Sequence, residues 1–284
     1  VWDEIARLNS DGHTVFADVD SIELLRGYEA AAAKFGTSVT LRVQVDSGLR
    51  GCRPIDAAAL CAAALTSPHL RLWGLTAYRS LYARDETRNW TPFDVIGRQE
   101  GRLLADLRDS IESRLGCHHL GVLTGSTAIA QGSMAADGVD EVAGASYVLN
   151  DWGLAQLGLC ETSDIAVGVA ATVVAVEDNT VTIDAGSATF GRWDPYPGIE
   201  QPVSAATPDG LITFTATGPC HSMSLPVEAR RVPQVGERIF VYPGHVSELV
   251  NVPGSFLAYD DTSGECSEWT RLSSGYYSLD DDII

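Results

Sequence analysis

In "PGHVSELVN", residues 243–251, His245 stands two positions before Ser247, on a run leading out of "GERIFVY". In an extended segment, side chains at i and i+2 point to the same face. An imidazole and an oxygen donor so placed can hold a divalent metal such as Zn or Mn. The same residues read equally as a turn histidine and a loop serine. The tripeptide Gly125-Ser126-Thr127 stands at the end of the strand pattern "HLGVLTGS" and precedes an apolar helical stretch. Its backbone N–H groups and two hydroxyls can cradle a phosphate. A plain strand-to-helix turn uses the same residue types.

The remaining reactive groups are sparse. A single lysine, Lys34, stands against 18 arginines; it ends the helical pattern "YEAAAAKFG", where it is expected to face solvent and favour the helix dipole. Lysine scarcity fits either genome composition or adaptation to high salt. His118 and His119 adjoin a strand start, where consecutive side chains diverge, and His13 and His69 precede strands. The six cysteines include no C-x-x-C pair and read as buried thiols of a reducing compartment. The closing "SLDDDII" reads as a solubilising acidic tail.

The elements that must position these groups fall into two kinds. Strand patterns at "HTVFADVD", "SVTLRVQVD", "LRLWGLTAY" and "HLGVLTGS" alternate with helical patterns at "SIELLRGYEAAAAKFG", "IDAAALCAAALTS" and "FDVIGRQEGRLLADLRDSIESRL". Alternation with near-continuous apolar strands implies a parallel sheet covered by helices, and its regularity favours a (β/α) barrel. Active groups of such barrels lie at the C-terminal ends of strands, which selects "VDSGLRGCR", "LTAYRSLY", "LTGSTAIA" and "ASYVLND". Near residue 160 the pattern turns to β: two strands in "IAVGVAATVVAVEDNTVTIDAGS" around Glu177–Asn179, then "LITFTAT", "ERIFVY" and "SFLAYD". No helix is expected beyond that point. The predicted division is 1–158, α/β barrel, and 159–284, all-β.

The chain of 284 residues is 45% hydrophobic and carries a net charge of −19. That charge argues against nucleic-acid and anionic-membrane partners, and no apolar run approaches the ~20 residues of a membrane span. Val1 opens into "VWDEIARLNSDG" without a signal-peptide pattern, and the missing start residue reads as trimming or a fragment. A cytoplasmic protein is expected.

The segments "VQVDSGLRGC", "GLTAY", "LTGSTAIA", "AGASYVLND", "ATVVAVEDNTVTIDAGS" and "VGERIFVYPGHVSELVN", in that order, resemble the D-threonine aldolase / D-serine dehydratase family over nearly the whole chain. The resemblance implies an alanine-racemase-type barrel, here N-terminally incomplete, followed by a D-serine-dehydratase-like β domain. It implies a pyridoxal-phosphate-dependent lyase acting on 3-hydroxy D-amino acids, assisted by a divalent metal and assembled as a homodimer. It places Gly125, Ser126 and Thr127 on the cofactor phosphate, Tyr147 along the cofactor site, Asp46 as anchor of a barrel turn, and His245 with Ser247 at the metal.

The departures from the family pattern are specific. The family has Cys or Asp where Ser247 stands, a neutral hydroxyl being the poorer ligand. The Schiff-base lysine expected on the first barrel strand is not identified, and arginine cannot replace its amine. Gly51, flanked by Arg50 and Arg53, occupies the place of a cofactor-contacting arginine. Arg84 stands about where the aldolase branch has a histidine, and "GPCHSMSL", with His221, fills the region of an expected "E-E-H-G"-like turn. These departures support the alternative of a non-catalytic or cofactor-binding relative.

Overall fold

The computed structural model describes residues 1–48, 50–78, 92–191, 203–227, 231–251, 255–260 and 262–270. The chain divides into two units, Val1–Tyr147 with Tyr196–Gly198, and Val148–Pro195 with Ile199–Ile284.

The first unit is built on a parallel sheet in sequence order: β1 (Phe16–Val19), β2 (Val39–Gln44), β3 (Leu70–Thr76), β4 (Gly121–Thr124) and β5 (Glu141–Val142). The intervening helices are α2 (Ile22–Phe35), α3 (Pro54–Thr66), α4 (Phe93–Leu115) and the short α5 (Ala130–Met134). Local signals set their ends. The Ser21 hydroxyl accepts from the Leu24 N–H, Pro54 opens α3, and Gly36 and Gly116 close α2 and α4 in left-handed conformation. Val19, Leu41, Val43, Leu75 and Val122 on the strands pack with Leu25, Tyr28, Leu60, Cys61 and Ile111 of the helices in one core. An unexpected helix, α1 (Trp2–Ser10), lies on α2: the Trp2 ring fills the space where a Gly27 β-carbon would stand, and Lys34 pairs with Asp3.

The second unit is a closed six-stranded antiparallel barrel, in the order β10-β7-β6-β11-β8-β9. Its strands are β6 (Val169–Glu177), β7 (Thr180–Ile183), β8 (Ala205–Ala206), β9 (Thr213–Ala216), β10 (Ser222–Ser224) and β11 (Arg238–Pro243). Asp178 and Asn179, both at positive φ (46° and 61°), make the two-residue turn between β6 and β7. Val173, Val181, Ile183, Phe190, Phe214 and Val241 share its core. A separate hairpin pairs β12 (Ser255–Tyr259) with β13 (Cys266–Thr270).

One expectation is corrected. Helices do occur after residue 160: α7 (Ser187–Phe190) and α8 (Val246–Asn251). Their first N–H groups are satisfied from far along the chain, Ser187 and Ala188 by the carbonyls of Gly218 and Pro219 and Val246 by the Asp151 carboxylate. The first unit's main segment ends at Tyr147 and the second begins at Val148. The reason is that α6 (Trp152–Gln156) and its approach bond to the β unit: the Gly153 N–H donates to the Gly244 carbonyl and the Ala166 N–H to that of Leu149.

Candidate functional site

The C-terminal ends of the parallel strands form one hydrogen-bonded edge. The Val45 N–H donates to the Thr76 carbonyl, that of Ala77 to Leu123, and that of Ala143 to Thr124. Asp46 and Gly125 both leave the sheet at this edge, after β2 and β4.

At Gly125 the chain turns with φ 114°, in the region that penalises a side chain, and an added β-carbon would lie 2.9 Å from Val142 Cγ1. Ser126 follows in extended conformation, and a 3-10 turn over Thr127–Ile129 leads into α5. Ser126 is 6% exposed, and its buried Oγ has no hydrogen-bond partner among the described residues. Since an unpaired buried hydroxyl is costly, this oxygen fits a ligand that supplies the missing partner. The neighbouring hydroxyl is engaged: Thr127 Oγ1 accepts from the Ser146 N–H at 3.1 Å. That bond draws 143–147 alongside the Gly125–Thr127 turn and brings the exposed Tyr147 into the same neighbourhood. The chain thus gathers Gly125, Ser126, Thr127 and Tyr147 at one end of the sheet.

Asp46 acts on its own turn. Its Oδ1 accepts from the Gly48 N–H at 2.8 Å, and its N–H donates to the Cys52 carbonyl at 2.8 Å. Gly51, where the family has arginine, closes this loop at φ 131°; a β-carbon would stand 2.5 Å from the Asp46 nitrogen. No side chain fits there without rebuilding the turn. Buried beside it, the Cys52 thiol is pushed up to about 11, and the Cys61 thiol of α3 to about 12, both chiefly by desolvation. Neither is a nucleophile at neutral pH.

The second unit holds the other candidate. His245 Nδ1 lies 3.3 Å from Asp151 Oδ2, with 18% of the histidine side chain and none of the aspartate side chain exposed. The Val246 N–H donates to the same oxygen at 2.9 Å, and the Leu154 N–H to Oδ1 at 2.7 Å. Asp151 went unnoticed in the sequence as a partner of His245. The only signal was its place as an N-cap in "NDWGLAQ". The assumption of an extended run does not hold at Ser247: it belongs to α8, so strand alternation does not set its direction relative to His245. Among the described residues no group of three His, Cys, Asp or Glu is placed to hold a metal ion. Among the described residues, His245 and Asp151 do not by themselves make up a dedicated metal centre.

Lys34 is 62% exposed on α2 and paired with Asp3, as expected for an outer-helix residue. Arg84 lies outside the described residues, as does the "SLDDDII" tail. No helix among the described residues is long and apolar enough to cross a membrane.

No family model matches the chain, and no curated protein matches it. Solved structures do. D-threo-3-hydroxyaspartate dehydratase from Delftia sp. HT23 superposes with a TM-score of 0.77 at 22% identity, covering 95% of this chain and 76% of that one. D-threonine aldolase from Filomicrobium marinum gives 0.73 at 19%, covering 95% and 72%. Alanine racemase of Clostridium difficile 630 in complex with cycloserine gives 0.54 at 12%, covering 94% and 75%. The alanine-racemase fold is therefore shown, and these neighbours match the family that the sequence resembles.

Proposed function

We propose that this chain binds pyridoxal phosphate at Gly125–Thr127 and acts as a lyase on 3-hydroxy D-amino acids, by aldol cleavage or dehydration. The observation that carries the reading is the buried, unpartnered Ser126 Oγ beside the positive-φ turn at Gly125. The cofactor, when bound, supplies the electron sink that allows bonds at the substrate α-carbon to break. The protein's part is binding and orientation. Gly125 lets the backbone approach a phosphate, and Ser126 and Thr127 add hydroxyl contacts. The Thr127–Ser146 bond holds Tyr147 along the cofactor, and the Asp46 turn keeps the neighbouring strand end in shape. A net charge of −19 favours a small-molecule substrate over nucleic acid or an anionic membrane. A cytoplasmic homodimer belongs to the same reading.

The resemblance also implies a divalent metal, Zn or Mn, at His245 and Ser247. Because the described donors do not assemble around His245, no step is assigned to a metal.

The second reading, a cofactor-binding relative without catalysis, is favoured by Gly51, whose tight loop leaves no room for a side chain at that position. The test is a calorimetric titration with pyridoxal phosphate, followed by assays of D-threonine, D-serine and D-threo-3-hydroxyaspartate for aldehyde, keto acid and ammonia. Binding with turnover supports the lyase. Binding without turnover selects the second reading, and absence of binding sinks both.

A further inference from the structure

One buried ionisable group has no part in the chemistry above. Glu100 lies in the middle of α4, 4% exposed, on the face formed by Gly97, Gly101 and Leu104 that packs inward. Burying a carboxyl is costly, and a leucine would fill such a face without that cost. What the carboxyl adds is an acceptor. The fully buried Thr124, last residue of β4, donates its hydroxyl to Glu100 Oε1. Its carbonyl meanwhile accepts the Ala143 N–H at 2.9 Å.

Thr124 is the residue immediately before Gly125. Its side chain and carbonyl are thus both tied down at the point where the chain leaves the sheet for the anion-binding turn. The same helix supports the far side of that turn: a β-carbon on Gly97, one helical turn before Glu100, would lie 2.3 Å from the Ile129 carbonyl oxygen. So α4 lies directly under the 3-10 segment as well as under Thr124.

From this we infer that Glu100 is a positioning residue for the phosphate cradle, acting through the Thr124 hydroxyl to fix the direction in which Gly125 and Ser126 leave β4. The inference rests on the reading of Gly125–Thr127 as a phosphate site. A neutral amide oxygen accepts from a hydroxyl as a carboxylate does, so Glu100→Gln preserves the function and Glu100→Leu removes it.

The test measures pyridoxal phosphate and inorganic phosphate affinity by calorimetry for wild type, Glu100→Gln, Glu100→Leu, Thr124→Val and the Glu100→Leu/Thr124→Val pair. Leu104→Ala serves as a buried α4 control that disturbs packing without touching the cradle. Glu100→Leu and Thr124→Val each weaken binding by about tenfold or more, the scale seen for residues that support a ligating group. The pair is no worse than either alone, Glu100→Gln stays near wild type, and Leu104→Ala loses stability while keeping affinity. Hydrogen exchange on the ligand-free protein separates this inference from the phosphate reading. Amides of 125–127 exchange faster in Glu100→Leu, while those of β6 and β7 do not change. Faster exchange in Glu100→Leu, alongside a wild type that binds no phosphate, removes the phosphate reading and leaves the positioning role. Unchanged exchange, or equal affinity loss in Glu100→Leu and Leu104→Ala, overturns the inference.

Discussion

Asp151 Oδ2 sits 3.3 Å from His245 Nδ1, joining positions 94 residues apart. The carboxylate is fully buried and accepts backbone N–H groups from Leu154 and Val246, at the starts of α6 and α8. One side chain therefore organises two helix starts and orients an imidazole. Asp151→Ala leaves both N–H groups without that acceptor and is expected to cost about 3 kcal/mol in urea unfolding, with Asp151→Asn losing about half as much. A loss below about 0.5 kcal/mol for both variants, the scale of ordinary surface changes, contradicts this role.

At the proposed phosphate cradle, stability and binding should move independently. Removing the Ser126 hydroxyl deletes a buried group that lacks a partner. Ser126→Ala should leave the ligand-free protein as stable as wild type or up to about 1 kcal/mol more stable, while pyridoxal phosphate binds about tenfold more weakly. Gly125→Ala places a β-carbon at φ 114° against Val142 and Ala143 and should lose both, by about 1–3 kcal/mol in stability. Calorimetry and thermal melts on the same samples decide. Parallel losses in Ser126→Ala would mark the serine as a packing residue.

How much was legible in the sequence depends on how local each signal is. The apolar period of "FDVIGRQEGRLLADLRDSIESRL" and the glycine after it gave α4 at its observed bounds, Phe93–Leu115. The turn residues Glu177–Asn179 gave the β6–β7 hairpin in the same way, with Asp178 and Asn179 at positive φ. Helices α7 and α8 were missed because the groups that satisfy their first amides come from Gly218, Pro219 and Asp151, far away in sequence. The attachment of 149–158 is equally non-local: the segment contains no signal that its hydrogen bonds lead to Gly244 and Ala166. Of the proposed site, the glycine and hydroxyls of 125–127 are visible in the sequence. Glu100 carries no such signal, and only the fold shows it buried against Thr124.

The donors around His245 lead to an expectation about metal. With Nδ1 facing Asp151 and no third donor among the described residues, Zn or Mn at micromolar concentration should not raise the melting temperature, nor should EDTA lower it. His245→Ala should respond identically. Because a ligand that binds the folded state alone stabilises it by mass action, a metal-dependent rise that His245→Ala abolishes would show that other groups complete a site there.

The buried thiols set an alkaline limit on stability. Burial raises Cys52 to about 11 and Cys61 to about 12, from a reference of 9.0 in the open chain. Above pH 9 the unfolded chain releases these protons while the folded chain keeps them. The folded state then holds more protons, and stability falls as pH rises. The contribution is fully present below pH 9 and is lost progressively as pH climbs through the folded values of about 11 and 12. Urea midpoints should therefore decline above pH 9, and the Cys52→Ser/Cys61→Ser double variant should show a shallower decline. The exposed Cys220 and Cys266 provide the internal comparison. At pH 8 a disulfide thiol reagent should label them rapidly in native protein and reach Cys52 and Cys61 only on unfolding. Rapid native labelling of Cys61 would mean that α3 opens far more readily than its place in the core implies.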